Sequence, residues 1–203
     1  MALSVFETAW TQAWADLGRE PPPGLHGALL SAYQAPDRHY HTAQHLAECL
    51  AHFEAARHLA ERPGEVALAL WFHDAVYDVR GSANEALSAR WARAALQDSG
   101  ADAATAQRIE RLILATRHDA APQAGDEQLL VDIDLAILGA PPERFAEYDR
   151  QVRAEYHWVP GLVYRVKRRA VLRAFLARPV IYGTEHFRTR LEQPARRNLA
   201  SVV

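Results

Sequence analysis

Ala69-Leu70-Trp71-Phe72-His73-Asp74-Ala75-Val76-Tyr77-Asp78 is the stretch on which both the fold and the chemistry of this chain turn. It closes an apolar run that starts at Val66, and the run ends on two adjacent metal-ligand side chains, an imidazole and a carboxylate. The run is far too short to span a membrane, which takes about 20 apolar residues. Residues 65–72 therefore read as a buried helix that delivers His73-Asp74 at its C-terminal end. A carboxylate placed where the sequence otherwise reads as core is costly unless it is paired, hydrogen-bonded or bound to a metal. An ion pair or a helix-end cap would also satisfy Asp74.

Outward from this stretch, nearly every segment has helical periodicity and none shows convincing strand alternation. Val5, Phe6, Ala9, Trp10, Ala13, Trp14 and Leu17 fall on one helical stripe, ended by Gly18 and the Pro21-Pro22-Pro23 break. A second helix is expected from residue 25 to about 33. A long one should follow from 41 to about 60, closed by Pro63-Gly64. Ser82-Ala83-Asn84-Glu85 has capping-box spacing and predicts a helix to about residue 98, with Glu85 reaching back to Ser82. Asp102 is the expected cap of a helix over 103 to about 116. Residues 119–125 read as a loop, 127–138 as a helix, and Pro141-Pro142 opens another to about 156. Residues 161–176 are expected to form the last long helix, broken at Pro179. The chain reads as one all-α domain over residues 1–203.

The composition agrees with an ordinary globular protein: 203 residues, 49% hydrophobic and 24% charged. A net charge of −2 gives no global attraction to nucleic acid or anionic lipid, so neither a nucleic-acid polymer nor a membrane is expected as partner. Homo-oligomerisation stays open. Cys49 is the only cysteine, which excludes an intrachain disulfide and favours a reducing compartment. The opening Met1-Ala2-Leu3-Ser4-Val5-Phe6-Glu7 lacks the basic and apolar regions of a secretory leader. A cytoplasmic protein is the expectation.

Two further segments carry chemistry. In Tyr40-His41-Thr42-Ala43-Gln44-His45 the histidines stand four apart, so on a helix both would point the same way. A zinc protease would also need a glutamate directly after the first histidine, and position 42 is threonine. In Val131-Asp132-Ile133-Asp134 the two carboxylates cannot share a helix face. Asp134, on the more apolar stripe, should point inward and need a cation, while Asp132 should hydrogen-bond a neighbour or orient a histidine; the reverse assignment stays open. Imidazole nitrogen and carboxylate oxygen together suit manganese, iron, cobalt, nickel or zinc and, less selectively, magnesium.

A histidine, then His-Asp, then a distant aspartate in an all-α chain resembles the HD superfamily of metal-dependent phosphohydrolases. Tyr40-His41-Thr42-Ala43-Gln44-His45, Trp71-Phe72-His73-Asp74-Ala75-Val76-Tyr77-Asp78, Asn84-Glu85-Ala86-Leu87-Ser88-Ala89 and Asp132-Ile133-Asp134-Leu135-Ala136-Ile137-Leu138-Gly139 look specifically like a bacterial group of predicted HD phosphohydrolases. The likeness covers most of the chain and implies an HD-domain helical bundle. It implies His45, His73, Asp74 and Asp134 as ligands of a divalent ion. The Tyr-His-x-x-x-His segment is also similar to cyclic-nucleotide phosphodiesterases, where the second histidine binds metal and the first donates a proton. By that likeness His45 is the ligand and His41 the acid, with Asp74 or Asp132 orienting the attacking water.

The chain departs from relatives with firm two-metal sites, since His118, in Thr116-Arg117-His118-Asp119, is the only well-placed extra histidine. Arg117 and Arg153 are candidates to hold phosphate oxygens, and the resemblance lets Glu85 and His118 reach the substrate. Arg165, Lys167, Arg168, Arg169 and Arg173 could serve too, although a solvated helix face explains that cluster better. The expected activity is hydrolysis of a small phosphate ester, a nucleotide or another phosphomonoester or diester. The rivals are an HD-fold di-iron oxygenase and a non-catalytic module that binds metal or nucleotide.

Overall fold

The computed structural model describes residues 5–203, and every regular element among them is helical. Residues 1–4, on which part of the leader expectation rests, lie outside the described residues. The chain groups into two compact units, Met1–Val131 and Asp132–Val203.

The first unit holds α1 (Val5–Leu17), α2 (Leu25–Ala32), α3 (Ala43–Ala56), α4 (Pro63–Phe72), α5 (Asn84–Asp98) and α6 (Ala103–Ala115). Every α4 residue from Gly64 to Phe72 is buried. A helix apolar on all sides must be enclosed by others, and α4 packs against α1, α3, α5 and α6. Gly64 permits the closest of these approaches. A Cβ there would stand 2.8 Å from the Leu17 amide nitrogen and 3.0 Å from the Ala13 carbonyl oxygen. Trp71 meets Trp10 and Phe6 edge-on, with ring centroids 5.0 and 5.9 Å apart. The one charge buried within α4, Glu65, is held by a bidentate pair with Arg108 at 2.6–3.1 Å. The first backbone donors ahead of α4 find Asp126, at the start of α7 (Asp126–Asp134), whose carboxylate accepts from the Glu61 and Arg62 amides at 2.7 and 3.0 Å.

Two local expectations need correction. The long helix begins only at Ala43, because Thr42 is its N-cap, and it tightens into a 3-10 turn at Arg57–Leu59. The capping box does not form: the N-cap of α5 is Ala83, without a side-chain bond. Asn84 instead exchanges hydrogen bonds with the Asp78 backbone, both at 3.0 Å. The Asp102 cap of α6 is present and accepts from the Thr105 amide at 2.8 Å.

In the second unit, the chain leaves α7 at Asp134 and tightens into a 3-10 turn, Leu135–Gly139, so the expected helix to residue 138 stops short. α8 (Pro142–Glu155), α9 (Gly161–Leu176) and α10 (Glu185–Val202) follow. α10 overturns the expectation that α9 is the last long helix. Thr184 caps it, accepting from the Phe187 amide, and Pro194 lies inside it. The helix survives a proline because its other anchors are numerous. Glu192 accepts from the Ile181 and Tyr182 amides at 2.9 and 3.2 Å, and Asn198 donates to the Leu138 and Ala140 carbonyls at 2.9 and 2.8 Å. Arg196 donates to the Leu176 carbonyl at 3.0 Å, satisfying an end of α9. At Gly139 a Cβ would meet the Leu191 Cβ at 2.7 Å, so the turn and α10 touch backbone to backbone.

Candidate metal centre

His73 caps the C-terminus of α4 and is buried. Its Nδ1 lies 2.8 Å from the Leu70 carbonyl oxygen. A carbonyl only accepts, so Nδ1 carries a proton; Nε2 faces Asp74 as an N–H donor in the metal-free, protonated ring and would offer its lone pair to a bound ion. That Nε2 is 3.2 Å from the Nε2 of buried His45, in the first turn of α3. Asp74 Oδ2 is 3.0 Å from His73 Nε2 and 3.5 Å from His45 Nε2. Bond lengths of about 2.0–2.2 Å around one ion put neighbouring ligand atoms at roughly these separations. The Leu70 contact is itself the habit of a ligating histidine, which gives its far N–H to a carbonyl or carboxylate. One helical turn beyond His45, Cys49 Sγ lies 3.7–3.8 Å from both ring nitrogens. The donor atoms of His45, Cys49 and His73 all fall within 4.8 Å of one another. This buried His/Cys/His group beside Asp74 can hold a metal ion, and its nitrogen-rich donors fit a first-row divalent cation.

Burial works to raise the pKa of the Asp74 carboxyl, but the neighbouring His73, His41 and His45 imidazoles and a hydrogen bond with His73 outweigh it and hold the group well below the usual carboxylate range. Asp74 is thereby kept as an anion facing the imidazoles.

Arg38, buried in the turn before this segment, organises the surroundings and went unnoticed in the sequence. Its guanidinium donates to the carbonyls of His41 at 3.1 Å, Asp74 at 2.6 Å and Ala75 at 2.9 Å. The same group lies over the Tyr33 and Tyr77 rings. His41 precedes the Thr42 cap, so it does not share a helix face with His45. Its ring stacks on Tyr77, centroids 4.0 Å apart, and stands 6.0 Å from the ring of His45.

The segment after Asp74 is held by the Asn84–Asp78 bonds and by Ser88, whose hydroxyl accepts from the Val76 amide at 3.0 Å. Glu85 and Arg117 face each other, with Oε2 and Nε 4.0 Å apart. His118 adopts a left-handed backbone, φ 56°, after the end of α6. In the second unit, Arg153 donates to the Tyr156 and Val159 carbonyls at 2.7 and 3.1 Å and lies over the Tyr164 ring. Asp132 is fully buried, and its carboxylate accepts from the Gly183 amide at 2.9 Å, the Thr184 amide at 2.7 Å and the Thr184 hydroxyl at 2.6 Å. Asp134, the last residue of α7, is half-buried. Cys49 had no expected role; its position four after His45 was the available signal.

No protein-family model, curated protein or solved structure matches this chain. Among the described residues, no helix is long and apolar enough to cross a membrane.

Proposed function

We propose that this chain is an HD-type metal-dependent phosphohydrolase acting on a small phosphate ester in the cytoplasm. The observation that carries the reading is the convergence of His45 Nε2, His73 Nε2 and Asp74 Oδ2 within 3.0–3.5 Å. These three side chains would hold a divalent ion, and the motif likeness assigns Asp134 as a further ligand. Bound there, such an ion supplies a Lewis acid for a phosphoryl oxygen and acidifies a water.

The remaining work falls to the chain. His41, oriented by its Tyr77 stack and by the Arg38 grip on its carbonyl, protonates the departing alkoxide. Asp74, kept ionised by its imidazole neighbours, accepts a hydrogen bond from the attacking water. Arg117, which faces Glu85 at 4.0 Å in the resting protein, would exchange that partner for a phosphate oxygen.

Elemental analysis of wild type and a His73→Ala variant, both purified without added metal, is the test. We expect a bound divalent metal that the variant loses while its helical circular dichroism persists, and phosphate release from a phosphoester panel with that metal. Asp134→Asn is expected to weaken metal retention, and full retention would remove Asp134 from the ligand set. Two irons per chain with oxygen consumption would replace the hydrolase reading by the oxygenase. Absence of metal in the wild type, with no magnesium binding on titration, would end it.

A further inference from the structure

α9 is built unlike the other described α-helices. Of its 16 residues only Leu172 is buried. Leu162 is 71% exposed, Val166 63% and Val163 45%. At 100° per residue these three, with Ala170 and Ala174, form one contiguous outward stripe, opposite Leu172. Arg165 and Arg169 flank one edge of that stripe, Arg173 in the same four-residue row enters its C-terminal end, and exposed Lys167 stands on the other edge, beside exposed Val171. Arg168 alone turns inward, over the Tyr148 ring and 3.4 Å from Asp149. Trp158, just before the helix, is 43% exposed, and Val180, just after it, 45%.

The overall charge of −2 conceals this local excess. α9 carries five basic and no acidic side chain, so the remainder, with 18 basic and 25 acidic residues, is net −7. An apolar stripe rimmed on both sides by arginine and lysine is the pattern of a helix lying in a membrane interface, where apolar side chains enter the headgroup boundary and long cations reach back to the phosphates.

We propose that α9 docks this protein on an anionic lipid surface, with Leu162, Val163 and Val166 inserted and Arg165, Lys167, Arg169 and Arg173 at headgroup level. Two features favour lipid over a second copy of the chain. An α9–α9 pair would set like-charged rims against each other. The stripe, on a helix about 24 Å long, also offers on the order of a few hundred Å², against roughly 800 Å² per partner in a stable protein interface. Neither the net charge nor the absence of a membrane-length apolar run, on which the expectation of no membrane partner rests, registers a local helix face of this kind.

The test is co-sedimentation of the full chain with vesicles of equimolar phosphatidylcholine and phosphatidylglycerol, and with vesicles of phosphatidylcholine alone. Binding is expected only to the anionic vesicles, weakening with added salt. Leu162→Asp combined with Val166→Asp should abolish it while leaving circular dichroism and thermal midpoint unchanged, since both sites are exposed. Arg165→Gln and Arg169→Gln should each lower the affinity roughly fivefold. No binding to the anionic vesicles at low salt, equal binding to both kinds, or full binding by the double variant would overturn the proposal. So would self-association of the wild type in sedimentation velocity that the double variant abolishes, because the stripe would then be a protein contact.

Discussion

α4 leaves Val66, Leu68, Leu70, Trp71 and Phe72 with no measurable exposure, whereas α9 turns Leu162 and Val166 outward at 71% and 63%. Both segments are rich in aliphatic residues, yet their charge patterns differ. α4 has one acidic side chain, Glu65, locked to Arg108, while α9 has a basic side chain on almost every turn. Apolar content alone therefore says little about where a helix sits. What surrounds the apolar residues decides whether they build a core and position ligands or meet something outside the protein.

The largest effect should come from emptying the enclosed side. Trp71→Ala removes a fully buried indole that contacts Trp10 and Phe6. It should cost about 3–5 kcal/mol in urea unfolding and loosen the helix end that carries His73. Retention of wild-type stability would break the contrast between the two helices.

Next comes Asp132→Ala. It strands the amides of Gly183 and Thr184 and the Thr184 hydroxyl at the entrance to α10. A loss of about 3 kcal/mol is expected, with metal content unchanged. Loss of metal together with stability would reassign Asp132 to the site.

A smaller effect, sharpened by pH, belongs to Asp74. Its carboxyl is held below the ordinary value, so the ionised form stabilises the metal-free protein above about pH 4. That contribution should fade as the pH drops through the folded-state value. The stability gap between wild type and Asp74→Asn should therefore narrow on acidification, read as urea midpoints at successive pH values. A gap that widens would reverse the sign assigned here.

The smallest effect is the control. Leu162→Ala on α9 should change stability by no more than about 0.5 kcal/mol. A larger loss in chemical denaturation would mean that the stripe is already packed.

Much of this contrast could be read in the sequence, but not all of it. The apolar run into His73-Asp74 announced α4, because a local pattern sufficed. α10 escaped notice because Pro194 and a charged composition argue against a helix locally. What secures it is tertiary: Glu192 and Asn198 hold backbone groups of other segments. Asp132 finds its partners 51 and 52 residues downstream, a pairing no spacing rule reveals. Arg38 acts on carbonyl oxygens, which every residue possesses and which leave no signature in the sequence. His45, His73 and Asp74 were legible as candidates because their chemistry is unusual where they stand. The displacement of His41 from the helix was not, since it depends on Thr42 taking the cap.

The Arg38 guanidinium grips the chain at His41 and again at Asp74 and Ala75, two segments more than 30 residues apart. Neither segment can swing away without breaking bonds that also steady the other. Amide hydrogens around residues 41–45 and 73–76 should consequently exchange with solvent in a single concerted opening, with matched protection that Arg38→Ala would uncouple. His41 and the His73-Asp74 edge would then breathe together, so that the centre is either assembled or open and rarely half-built.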